Sequence, residues 1–285
     1  MDNHRSPLFC DTALAERIER VEAQFIALAA AAARRRMAAT AGFVIPIGGG
    51  VASFAGAGSP FNKVAGLGFR GTPGVAELDE IEQAFATCGA PTQVELAHLA
   101  DPDVGALLTG RGYRLVSFEN VLGRGLDGEP EQVTPDGLEV RRSGDDEFDR
   151  WLDVVADGVA HPDTQGVPSH EEFPRDVYLR AERDRAAAGV VRYAALRDGA
   201  IVGGASLRVA DGVAQFAGAA TAPAHRRRGV QTVLLRARLA DAAAAGCDVA
   251  VMTAQPGSRS QQNAQRRGFD LLYTRAVLVK DCHAR

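Results

Sequence analysis

The segment that most constrains this chain is VAQFAGAATAPAHRRRGVQTVLLRARL, residues 213–239. A strand-forming run ends in Ala219, Ala220 and Thr221, the chain turns at Ala222-Pro223, and a helix opens on HRRRGVQT. The first N–H groups of a helix have no partner within it, and the helix dipole adds positive character there. Such a start holds an anion without a charged side chain. Gly229 lets a phosphate approach the backbone, and Arg226, Arg227 and Arg228 add positive potential at the helix mouth. Small side chains at 217–222 leave room for a thin ligand along the strand, so the segment suits a pyrophosphate with a long amide-bearing arm. The other reading is an ordinary basic helix start.

Around this segment the chain reads as two α/β halves. Residues 11–41 are helix-like, with Leu14, Ile18, Val21, Phe25 and Leu28 on one face. Residues 43–69 mix short apolar runs with glycine turns and predict two strands. Their GGG and GAGS match neither GxxxxGK[ST] nor a GxGxxG before a helix, and read as hairpin turns. Helices are expected at 75–86 and at 102–109, the latter capped by Asp101 with Pro102 at its first position, and strands at 92–99 and 113–122. GRGLDGEPEQVTPDG, residues 123–137, is polar, rich in Gly and Pro, and without periodicity. The expected division is a first domain over 1–125, a linker over 126–137 and a second domain over 138–285.

The second half predicts a strand at 138–141, a helix at 145–159, a loop, and a helix between 171 and 188. Three strands follow at 190–196, 201–209 and 213–220, separated by Asp-Gly turns, the favoured hairpin signal. A helix at 224–245, a strand at 247–253, a short helix at 261–267 and a strand at 269–278 complete it. The halves share an ending: LLTGRGYRLVSFENVLGR at 107–124 and NAQRRGFDLLYTRAVLVK at 263–280 each carry RG, an aromatic and a long strand. That match suggests an internal duplication.

Composition narrows the function classes. The 32 basic and 36 acidic residues give a formal charge of -4, which argues against nucleic acid as a partner. Cys10, Cys88, Cys247 and Cys282 lack CxxC spacing and the six histidines lack close ligand spacing, so no metal is expected. Cys88 and Cys247 read as small buried hydrophobes. No apolar run is long enough to span a bilayer, and MDNHRSPLFCDTALAERIER lacks the pattern of a secretory leader. A cytoplasmic protein without a membrane partner, monomer or homodimer, is expected.

PAHRRRGVQT, residues 223–232, resembles the acyl-coenzyme A signature of the GNAT superfamily of N-acetyltransferases, [RQ]-x-x-G-x-[GA]. Arg226 and Gly229 match, while Gln231 stands where a small residue is usual. GSRSQQNAQRRGF, residues 257–269, resembles the family's helix ending in Gly-Phe before the last strand. The resemblance covers 138–280, and 11–122 resembles a degenerate copy without the signature. It implies an α/β (α+β) fold with a mixed, mostly antiparallel central sheet flanked by helices, and acetyl-CoA as cosubstrate.

By that resemblance the pantetheine arm lies between 216–221 and 248–253, against the backbone of Ala219, Ala220 and Thr221. Arg226, Arg227, Arg228, Gly229, Val230, Gln231 and Thr232 hold the pyrophosphate, and Ser260 or Asn263 sits near the arm or adenosine. The implied activity is direct acetyl transfer to a primary amine of a small molecule or peptide. The alternative is a non-catalytic acyl-CoA-binding module, regulatory or scaffolding.

Relatives often carry a Glu base on the signature strand and a tyrosine acid four residues before the Gly; here those places hold Gln215 and Ala264. Tyr273 is then the candidate proton donor, its other reading being a packing residue of the closing strand. Asp163, Glu171 and Glu172 are further acids, His161 and His170 flank their loop, and His225 is assigned to the helix mouth. Phe148 and Trp151 read as core or acceptor-pocket wall, and Asn62-Lys63 as a plain turn or a pair reaching across the two halves.

Overall fold

The computed structural model describes residues 6–37, 42–126, 137–162 and 165–282. It begins with α1 (Thr12–Arg36), whose first turn is capped by Asp11 accepting the Leu14 N–H at 2.8 Å. The buried stripe of α1 is Ile18, Val21, Phe25 and a run of alanines; Leu28, expected on that face, is 46% exposed. The alanines let the helix lie close on the sheet.

The first half continues with β1 (Phe43–Ile47), β2 (Gly50–Phe54), β3 (Lys63–Ala65), α2 (Val75–Thr87), β4 (Thr92–Ala97), α3 (Pro102–Gly110) and β5 (Arg114–Gly125). Residues 43–69 thus hold three strands where two were expected, and the Gly48-Gly49 pair makes the β1–β2 hairpin turn. The second half is β6 (Glu139–Arg142), α4 (Phe148–Ala160), α5 (Arg175–Ala186), β7 (Val191–Arg197), β8 (Ala200–Ala210), β9 (Val213–Thr221), α6 (Val230–Ala244), β10 (Val249–Ala254), α7 (Arg259–Gln265) and β11 (Asp270–Lys280). Both Asp-Gly turns form as read, with Asp198, Gly199, Asp211 and Gly212 all at positive φ. The long helix starts at Val230 rather than Ala224, because Arg227 and Gly229 adopt φ of 60° and 83°.

The eleven strands of the described residues form one mixed, mostly antiparallel sheet in the order β1-β2-β3-β4-β11-β5-β10-β9-β8-β7-β6. Two pairs are parallel: β3 with β4, connected through α2, and β9 with β10, connected through α6. The closing strands trade places. β5 pairs with β10, β11 pairs with β4, and the two run antiparallel to each other with Glu119 opposite Arg275. The matching endings of the sequence therefore lie side by side at the centre of the sheet.

Helices cover both faces. One apolar cluster packs α6 against β7–β10, and another packs α2 and α3 against β1, β2 and β4. On the opposite face α1 packs over the centre of the sheet, beside α4 and α5. No helix among the described residues is long and apolar enough to cross a membrane.

Candidate active site

The parallel pair β9–β10 holds together only at Val249–Val213, Ala250–Ala214 and Val251–Gln215. Beyond these, β9 runs on to Thr221 and β10 to Ala254 without pairing, so a gap opens between them. Gly218 sits in a bulge of β9, at φ 47°, where the register with β8 shifts. Ala219, Ala220 and Thr221 pair with β8 along one edge and leave the other edge of their backbone facing the gap. A cavity of about 150 Å³ occupies the α1 side of this gap, with Gln215, Gly218, Val251 and Thr253 on its strands and Glu22 of α1 above.

At the mouth of the gap, Val233 is the first residue of α6 whose N–H bonds back, to Gly229 O at 3.1 Å. The N–H groups of Val230, Gln231 and Thr232 are left facing outward by helix geometry. Arg227 and Arg228 are exposed beside them. The Arg226 guanidinium, expected at the mouth, is turned inward instead. It donates to the carbonyls of Gly158 (2.8 Å), Thr221 (3.4 Å) and His161, tying the end of α4 to the end of β9. The Gln231 amide folds back to donate to Thr221 Oγ1 at 2.8 Å, and Thr232 Oγ1 accepts from Arg267 at 2.9 Å. Gln231 thus braces the mouth rather than filling it. Ser260 and Asn263 lie exposed on α7, beyond the end of β10.

Tyr273 lies elsewhere. Its ring is buried among Ile18, Val21, Val121 and Val251, and its hydroxyl donates to Glu19 Oε1 at 2.6 Å. Burial, then the facing Glu19, pushes the phenol well above its ordinary value. The residue is 1% exposed and its hydroxyl is spent on Glu19, so the packing reading describes it better than proton donor.

Tyr273 belongs to a polar cluster beneath α1. Arg275 donates to Glu19 at 2.8 Å and to Glu119 at 3.1 Å, with Glu95 at 3.7 Å. Lys63 meets Glu95, so it reaches β4 instead of ending a plain turn, while Asn62 closes the β2–β3 turn on Ala55 and Gly56. Gln215 donates to Glu22 at 2.7 Å and accepts from Arg208 at 2.7 Å. An acid absent from β9 is thus supplied from α1. Sequence reading missed Glu22 and Glu119; the available signal was that Glu119 and Arg275, opposite in charge, occupy the same place in the two matching endings.

Among the loop residues, Glu171 accepts from Gln93 of β4 at 3.3 Å, so that loop reaches the first half. His170 and Glu172 are exposed, the His161 ring meets its own helix end at Asp157, His225 is half-buried, and Asp163 lies outside the described residues. Trp151 is core, donating to Tyr193 O at 2.9 Å, and Phe148 packs beside it. Cys247 is buried and Cys88 half-buried. Among the described residues no group of His, Cys, Asp and Glu is arranged to hold a metal ion.

The corresponding place in the first half is closed. The N-terminus of α2 is filled by the Glu77 carboxylate, which accepts from Gly74 N–H at 2.7 Å. The loop before α3 lies over the end of β3, with Asp101 N–H bonded to Gly68 O at 2.8 Å.

The site is thus a central sheet splayed at a parallel pair, with an open helix start at the gap. Residues 159–269 match the Acetyltransferase (GNAT) family. The fold is similar to that of a GCN5-related N-acetyltransferase from Kribbella flavida, at 22% identity over 90% of this chain and 96% of that one, TM-score 0.62. It is also similar to a tandem GNAT protein from the clavulanic acid biosynthesis pathway, at 14% identity over 98% of both chains, TM-score 0.60. A GCN5-related N-acetyltransferase from Sphaerobacter thermophilus shares 18% identity over 73% of this chain and 65% of that one, TM-score 0.52. No curated protein matches the chain.

Proposed function

We propose that the protein transfers an acetyl group from acetyl-CoA to a primary amine of a small molecule or peptide, by direct attack in the gap between β9 and β10. The observation that carries this reading is the join of two unpaired backbone surfaces: the free edge of 217–221 and the open first turn of α6. The first suits an amide-bearing arm, which needs alternating donors and acceptors. The second suits a pyrophosphate, with Arg227 and Arg228 adding charge beside Val230, Gln231 and Thr232. Arg226 acts here by fixing the loop that aims those N–H groups.

The backbone N–H at Ala219 or Ala220 polarises the thioester carbonyl, and Ser260 and Asn263 flank the outer part of the arm. The nitrogen lone pair forms the C–N bond as the C–S bond breaks. Residues 138–285 act as the working acetyltransferase domain and 1–125 as its degenerate copy across the 126–137 linker. The repeated order of a parallel pair, a helix and a closing strand supports that duplication. The closed α2 start supports a first half without its own acetyl-CoA.

Calorimetry with acetyl-CoA, followed by thiol-release assays over amines, amino acids and peptides, tests the reading. Binding and turnover are expected. Absence of acetyl-CoA binding overturns it. Binding without transfer to any amine favours the alternative of a regulatory acyl-CoA binder, which the lack of an acid on β9 also fits.

A further inference from the structure

An amine is an ammonium ion at neutral pH and must lose a proton before its nitrogen can attack. Strand β9 has no group to take it, since Gln215 stands on its cavity face. The carboxylates under α1 are Glu19, Glu22, Glu95 and Glu119, and three of them surround Arg275. Glu19 and Glu95 keep 2% and 6% of their side-chain surface and are already engaged, by Tyr273 and by Lys63. Glu22 is held by the Gln215 amide. Glu119 differs: its side chain keeps 26% exposure, Oε2 meets Arg275, and Oε1 has no hydrogen-bond partner among the described residues.

Its position is equally specific. Val121 and Arg275, its neighbours on the same face of the sheet, both line the cavity. Asn120 pairs with Ala254, the last residue of β10, so Glu119 stands just past the end of that strand, next to the cavity wall formed by Val121 and Arg275.

We propose that Glu119, a residue of the first half carried into the second half's site by β5, takes the proton from the acceptor amine through at most one water. This rests on the acetyl-transfer reading above. Glu119 removes one proton from the ammonium, and the nitrogen attacks the thioester carbon. The C–S bond breaks, the proton shed by the nitrogen on forming the amide goes to the thiolate, and Glu119 returns its own proton to solvent.

Burial pushes the Glu119 carboxyl up to about 7, with Glu95 on β4 and Glu22 on α1 adding to it. Arg275 on β11 and Lys63 on β3 pull the other way. A base with its pKa near the working pH both takes and releases protons readily. The raised value means that the acceptor form is lost as pH falls below about 7, so kcat/KM has an acidic limb there.

The test is the pH profile of kcat/KM in wild type, Glu119→Gln, Glu22→Gln and Glu95→Gln, with acetyl-CoA affinity measured for each. Glu119→Gln is expected to keep acetyl-CoA affinity, lose about 10²- to 10⁴-fold in kcat/KM, and lose the acidic limb. Glu22→Gln is expected to keep the limb. Glu95→Gln, which removes a neighbouring negative charge, is expected to move it to lower pH, and this reads Glu119 in place should Glu119→Gln not fold. A limb that survives in Glu119→Gln, vanishes in Glu22→Gln, or stays put in Glu95→Gln overturns the assignment. A wild type that acetylates no amine overturns the transfer reading itself, and the assignment with it.

Discussion

Replacing Tyr273 by phenylalanine separates a structural from a chemical role at one atom. The ring stays packed against Ile18, Val121 and Val251, so the change opens no sizeable cavity. What is lost is one buried hydrogen bond, 2.6 Å long, to the Glu19 carboxylate. Hydrogen bonds to charged groups contribute about 1.5–3 kcal/mol. Because Arg275 still holds Glu19 at 2.8 Å, the lower end applies, about 1.5–2 kcal/mol. At about 2–4 °C per kcal/mol for chains of this size, Tm falls by roughly 3–8 °C. Thermal and urea unfolding measure the loss, and an acetyl-transfer assay below the new Tm measures kcat, expected within about twofold of wild type because Tyr273 is fully buried with its hydroxyl held by Glu19. A general acid contributes about 10²-fold or more. A loss of that size in kcat with stability unchanged refutes the structural account and returns Tyr273 to the chemistry.

Gly229→Ala forces a side chain into the left-handed region at φ 83°, which costs about 1–2 kcal/mol and tilts the first turn of α6. Acetyl-CoA affinity is expected to fall about tenfold with the fold retained, by calorimetry and circular dichroism, and unchanged affinity removes the mouth from the binding site. Gly204→Ala places a Cβ at 2.5 Å from Trp151 Nε1 and 2.6 Å from Val155 Cγ2, and a loss of about 1–3 kcal/mol in urea unfolding is expected from the overpacking. A fragment of residues 138–285 lacks both sheet neighbours of β11, namely β4 and β5, and is expected not to fold cooperatively alone. Co-expression with residues 1–126 restores it; a cooperatively unfolding lone fragment refutes this.

Local signals were readable in the sequence, and their partners were not. Asp-Gly at 198–199 and 211–212 fixed two hairpins because the primed turn needs positive φ at both residues. Asp101-Pro102 marked a helix start through its cap. The start of α6 was misplaced by six residues because alanine-rich 222–225 carries helical propensity, while Arg227 and Gly229 take conformations that no pattern reports. The exchange of β5 and β11 left no trace in periodicity, since the same alternation pairs equally well with β4 or β10. With that exchange unseen, Glu119 read as a residue of the far half, and Tyr273 as the group nearest the chemistry. The signature segment pointed to the helix mouth, but not to the bracing contacts that the Arg226 and Gln231 side chains make with Thr221, Gly158 and His161.

The traded strands also order events during synthesis. β4 leaves the ribosome with one edge awaiting β11, which is made more than 170 residues later. All six residues of β4 are buried in the finished sheet, so until β11 is made its free backbone edge is of the kind that pairs with other molecules. That edge stays unpaired for as long as the intervening residues take to translate. Strand β11 acts as the clasp, and a ribosome that stalls before residue 270 releases a product with the edge of β4 open.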